Sequence, residues 1–113
     1  MDLGVNQLTQ LPETIGNLKQ LQYLSIFDNR LTQLSENICN LKNLQSLNLR
    51  KNQLTRLHEY IGDLKNLQKL WLDDNKLIQL PESIGNMKNL HNLLLHYNQI
   101  THFPNNMEDL YEQ

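Results

Sequence analysis

With a single cysteine, Cys39, the 113-residue chain cannot form an internal disulfide. No run of about 18 apolar residues occurs, so no membrane span is expected. The opening residues Met1, Asp2, Leu3 and Gly4 lack the basic and apolar regions of a signal peptide. An excess of one charge sign is also missing. Ten Lys and Arg against twelve Asp and Glu leave a net charge of -2, which offers no attraction to nucleic acid or an anionic membrane. These absences favour a reducing, cytoplasmic setting; secretion without a signal, or a removed leader, gives the same sequence.

Catalytic patterns are absent as well. There is no G-x-S-x-G, no phosphate-cradling glycine loop and no paired metal-ligand spacing. The chain is therefore read as non-enzymatic, with no cofactor and no metal. Of its four histidines, His91, His96 and His102 crowd the last unit of the repeat set out below. They occupy positions 2, 7 and 13 of that unit, on different faces, so a zinc site is not expected.

What is present is a repeat. Residues 21–43 read LQYLSIFDNRLTQLSENICNLKN, residues 44–66 LQSLNLRKNQLTRLHEYIGDLKN and residues 67–89 LQKLWLDDNKLIQLPESIGNMKN. Residues 90–113 repeat the pattern as LHNLLLHYNQITHFPNNMEDLYEQ, and residues 1–20 are the same unit without its first three positions. One domain spanning residues 1–113 is expected, with no linker. The unit, LxxLxLxxNxLxxLPxxIGNLKN, resembles the leucine-rich-repeat family in its 23-residue form. It is similar to the repeats of intracellular Ras-binding scaffolds, plant intracellular Ras-group proteins and many bacterial repeat proteins. The resemblance covers the whole chain. It implies an α/β fold: a right-handed solenoid with a parallel sheet on the concave face and short helical turns on the convex face. It implies no single activity, because the family is defined by its scaffold.

The residues lead to the same architecture. Positions 4 and 6 are aliphatic in every full unit and point one way, as alternate residues of a strand do: Leu24 and Ile26, Leu47 and Leu49, Leu70 and Leu72, Leu93 and Leu95. Positions 11, 14, 18 and 21 add Leu31, Leu34, Ile38 and Leu41, with equivalents in the other units. Each wedge is too small to fold alone, and stacking joins the wedges into one core. Position 9 is Asn in every unit: Asn6, Asn29, Asn52, Asn75 and Asn98. An amide both donates and accepts, so this column is predicted to satisfy backbone groups where the chain turns inward after the strand. None of these asparagines is followed by x-Ser/Thr, which argues against glycosylation.

On the return side, Glu13, Glu36, Glu59 and Glu82 stand at position 16, and Lys19, Lys42, Lys65 and Lys88 at position 22. A helical turn between them would place acid and base at its favourable ends, with Pro12, Pro81 and Pro104 at its entry. This face reads as solvated. Cys39 replaces a Gly found at the same position in three other units, and reads as a tolerated small residue.

Positions 3, 5, 7 and 8 vary, and their side chains are expected to line the concave face. Tyr23, Phe27, Trp71, Leu94 and Tyr97 are large and apolar there, where the core gains nothing from them. With Arg50, Asp73 and His96 they form the predicted partner-binding set. Arg50 is also expected to lie between Phe27 and Asp73. Five strands span roughly 19 Å by 16 Å, a footprint on the order of 300 Å², against ~800 Å² per side in a standard interface. A protein partner is expected, bound weakly unless loops or a second copy contribute. A structural piece of a longer array is the alternative. No polar cap is recognisable at either end. Leu8, Leu11 and Ile15 at one end, and Leu93, Leu95, Phe103, Met107 and Leu110 at the other, lack a covering unit. Only Glu108, Asp109 and Glu112 soften the far end, so self-association is expected.

Overall fold

The computed structural model describes residues 1–107. Alternating leucines produce one short strand per full unit: β1 (Tyr23–Ser25), β2 (Ser46–Asn48), β3 (Lys69–Trp71) and β4 (Asn92–Leu94). They lie parallel in chain order in a single sheet. Each residue pairs with its equivalent one repeat further on: Leu24 with Leu47, Leu47 with Leu70, Leu70 with Leu93. The first unit contributes only a bridge from Asp2 to Ser25. Leu24, Leu47 and Leu70, with Ile26, Leu49 and Leu72, are buried in one continuous core. Leu93 and Leu95, in the last strand-bearing unit, are only half-buried.

Three-residue strands supply few ladder bonds, so units are also tied outside them. The Gln22 carbonyl accepts from the Gln45 and Ser46 amides, and the Gln45 carbonyl from those of Gln68 and Lys69. The return side of each unit is a 3₁₀ turn: Glu13–Asn17, Glu36–Asn40, Glu59–Asp63, Glu82–Asn86 and the shorter Asn105–Met107. Glutamate stands in the first turn of the four longer ones, as the sequence predicts, but no basic residue stands in the last. The turns close on Leu18, Leu41, Leu64 and Met87, one residue before each lysine. The lysines therefore lie beyond the helical segment. Pro12 and Pro81 precede their turns without a side-chain cap, whereas the Ser35 hydroxyl and His58 Nδ1 accept the Asn37 and Tyr60 amides at 3.2 and 3.1 Å.

Neighbouring turns pack closely. A Cβ on Gly62 would lie 2.5 Å from the Ser83 Cβ, and one on Gly16 would lie 2.7 Å from the Asn37 carbonyl oxygen. Cys39 occupies this same column and is buried. Burial first, then the Asp63 carboxylate, push its thiol up to about 11. A raised pKa disfavours the thiolate, the nucleophilic form, at neutral pH.

The strands end sooner than the variable columns suggest. Position 8 is no strand residue: Val5, Asp28, Lys51, Asp74 and Tyr97 all take left-handed backbone, with φ from 55° to 62°. Five non-glycine residues hold this corner, one of them β-branched, a conformation that costs L-residues roughly 1–2 kcal/mol each. Val5→Gly is therefore expected to raise stability by about 0.5–1 kcal/mol, after allowing for the unfolded-state entropy of glycine. Val5→Ala should not. Denaturant midpoints of the two variants check this.

The N-terminal end is better covered than its sequence implies. Leu11 and Ile15 are buried and Leu8 is half-buried. On the outer edge of the first strand segment, Asp2 Oδ1 accepts the Gly4 amide at 2.8 Å, which blunts an otherwise open edge. Met1, Val5 and Leu18 remain exposed. At the far end Met107 is buried and Phe103 exposed, while Glu108, Asp109, Leu110 and Glu112 lie outside the described residues.

Candidate functional site

Strand alternation turns positions 3 and 5 away from the core, and the parallel register sets equivalent residues side by side. Asn48, Trp71 and Leu94 stand in one row across β2, β3 and β4, and Ser46, Lys69 and Asn92 in the next. Trp71 and Leu94 are both half-buried and adjacent. The Trp71 Nε1 is buried with no hydrogen-bond partner among the described residues, a state that costs about 1–3 kcal/mol. The indole is thus packed against the sheet, not free in solvent.

A second group lies at position 7. The Arg50 guanidinium carbon is 5.9 Å from the Phe27 ring centroid, and Arg50 Nε is 3.4 Å from Asp73 Oδ2. Arg50 therefore lies between Phe27 and Asp73, as the sequence suggests. The Lys51 ammonium covers the same ring at 5.6 Å. Asp73 is buried, and its Oδ1 accepts the His96 amide at 2.9 Å. Asp73 is thus occupied by bonds within the chain and holds the end of β4 against β3.

The eight concave-face candidates therefore divide. Trp71 and Leu94 form one pair, and Phe27, Arg50, Asp73 and the His96 backbone form a second row, joined by a cation–π contact, an ion pair and one hydrogen bond. Tyr23 is 58% exposed on β1, two strands from Trp71, with its hydroxyl 3.4 Å from Gln45 Oε1. Tyr97 is 82% exposed, but on the left-handed corner beyond the strand.

The asparagines of position 9 form a bonded column. Asn52 Nδ2 donates to the carbonyls of Ile26, Leu49 and Arg50 at 2.9, 3.1 and 3.4 Å, and its Oδ1 accepts the Leu31 amide at 3.1 Å. Asn75 repeats this with Leu49, Leu72, Asp73 and Leu54, and Asn29 and Asn98 with their own neighbours. Asn6, in the first unit, is exposed and reaches only the Leu3 and Gly4 carbonyls.

A second asparagine column, at position 23, went unread in the sequence. Asn43, Asn66 and Asn89 each donate to the carbonyl of the lysine in the preceding unit, at 2.8, 2.8 and 2.7 Å. Its signal was present as three aligned asparagines, but their exposed position hid the role. Also unread was an open cleft of about 800 Å³ on the flank, floored by Leu11, Leu57 and Leu80 and walled by the position-16 glutamates. Two of those carboxylates are engaged internally. Glu36 meets His58 Nε2 at 3.1 Å, and Glu59 accepts the Glu82 and Ser83 amides at 3.3 and 3.4 Å.

The stacked units, their common register and the bonded asparagine column agree with the comparisons. Residues 1–72 match the family model described as a leucine-rich repeat region, and residues 66–87 match a leucine-rich repeat model. The chain belongs to the leucine-rich-repeat family. A solved leucine-rich-repeat protein of Leptospira interrogans is 47% identical over 93% of this chain, with a TM-score of 0.87. The chain spans 27% of that protein's length. No curated protein matches it. Leucine-rich-repeat domains generally mediate protein–protein interaction and are typically non-enzymatic. Among the described residues no group of three or more His, Cys, Asp or Glu could hold a metal ion, and no helix is long and apolar enough to cross a membrane.

Proposed function

We propose that this leucine-rich-repeat unit is a non-enzymatic module that binds a protein partner on its concave sheet. The supporting observation is the Trp71–Leu94 pair. The only tryptophan of the chain lies beside a leucine on the solvent side of the sheet, flanked by Asn48, Lys69 and Asn92. The core, buried on the other side of the sheet, gains nothing from these two side chains, and aromatic anchors ringed by polar residues are typical of binding hot spots. A second reading is favoured by the match to only 27% of the Leptospira chain. In it, these units are part of a longer array whose function lies elsewhere.

A display screen of short peptides against the folded chain distinguishes the two. On the first reading, binders lose roughly tenfold to thirtyfold in affinity when Trp71 and Leu94 are both changed to Ala. Convex Lys42→Ala leaves them unchanged. The reverse pattern would remove the concave site, and no binders at all would favour the array.

A further inference from the structure

We propose that the partner segment is an extended peptide carrying an apolar side chain and, two residues away, a carboxylate. The apolar group seats on Trp71 and Leu94, and the carboxylate meets Lys69. This rests on the concave-face reading above and adds the chemistry of the partner.

The argument begins with charge. Across β1–β4, positions 3 and 5 of the outer face carry Tyr23, Ser46, Lys69 and Asn92, then Ser25, Asn48, Trp71 and Leu94. Lys69 is the one charged residue among these eight. It is exposed and forms no ion pair among the described residues. The cations just beyond the strands are engaged: Arg50 with Asp73 and Phe27, and Lys51 over Phe27. The acids nearest the sheet are Asp2, bridged to Ser25 on the far side of β1 and accepting the Gly4 amide, Asp73, occupied by Arg50 and the His96 amide, and Asp28 and Asp74 on the left-handed corner beyond the strands. Lys69 thus offers an uncompensated positive charge directly beside the apolar pair.

Spacing then defines the ligand. Lys69 and Trp71 lie two residues apart on one strand face, roughly 7 Å, and side chains i and i+2 of an extended peptide have the same separation. An apolar–x–acidic segment lying along β3 meets both. A single-stranded nucleic acid could also stack on Trp71 and place a phosphate on Lys69. The net charge of -2, with Asp28 and Asp74 bordering the sheet, disfavours such a polyanion.

The test uses the intact chain. Trp71 fluorescence reports directly, since it is the only tryptophan, and anisotropy of a labelled peptide reports independently of it. The probes are three capped peptides of sequence Gly-Leu-Ser-X-Gly, with X as Glu, Gln or Lys, and an oligothymidylate. The Glu peptide is expected to bind about threefold tighter than the Gln peptide at low salt, with the Lys peptide weakest. Roughly 0.5 M salt should erase the difference. Lys69→Gln should remove the Glu preference, and Lys69→Glu should transfer it to the Lys peptide. Equal binding of all three peptides, no binding of any at millimolar concentration, or preference for the oligothymidylate would overturn the proposal. The concave-face reading fails separately: in that case anisotropy shows peptide affinity unchanged in the Trp71→Ala, Leu94→Ala double variant.

Discussion

Asn52→Ala is expected to lower folding stability by about 2–3 kcal/mol, whereas Asn48→Ala, four residues away, costs less than about 1 kcal/mol. The difference follows from what each removal strands. Asn48 Oδ1 accepts only the nearby Arg50 amide. Asn52 serves two units. The Ile26 and Leu49 carbonyls to which it donates keep a second donor, in Asn29 and Asn75 respectively. Among the described residues the Leu31 amide has no partner besides Asn52 Oδ1, and it is buried. That single donor carries most of the cost, because an unmade buried bond costs more than a made one contributes. Asn52→Asp sharpens the test. It keeps an acceptor for Leu31 but turns a carboxylate toward the three carbonyls of Ile26, Leu49 and Arg50, which raises its folded-state pKa. Its destabilisation should therefore shrink as pH falls through that raised value and the carboxyl becomes a donor. Urea midpoints at neutral and acid pH measure both effects. Equal midpoints for Asn52→Ala and Asn48→Ala would remove the asparagine column as a structural element.

The second large effect is in the core. Leu47→Ala should cost about 3–5 kcal/mol, because its side chain is fully buried and the rigid stacked wedges on both sides restrict collapse of the cavity. The equivalent Leu93→Ala should cost about half as much, since Leu93 is only half-buried. In a solenoid each unit contacts only its neighbours, so equivalent leucines should not be equivalent in energy. Thermal or urea unfolding of the two variants tests that gradient. Equal losses would mean that the last unit is packed as tightly as the centre.

Much of this architecture was legible because the repeat restates the same information in each unit. The inward leucines and isoleucines at positions 4 and 6, the Asn at position 9 and the Glu at position 16 each recur in register, and the structure places them in the core, at the inward turn and in the first 3₁₀ turn. The candidate site was less legible. Columns 5 and 7 contained its main residues, but columns cannot say which neighbours bond. Asp73 looked like an exposed contact and is consumed by Arg50 and the His96 amide. Tyr97 looked like a concave-face residue and stands on a left-handed corner beyond the strand.

The sequence alone determined the period and the identity of the core, since both follow from residue type repeated at fixed spacing, while the parallel sheet came from the family resemblance. Only the tertiary structure decided where each strand stops, that Asn43, Asn66 and Asn89 join units on the outside, and that Trp71 packs with its indole nitrogen unpartnered among the described residues. The physical reason is range. These outcomes depend on backbone and side-chain groups brought together from a unit away, 21 to 26 residues along the chain, as in the bonds of Asn52 to Leu31 and Ile26. No local pattern encodes how those groups compete for one another.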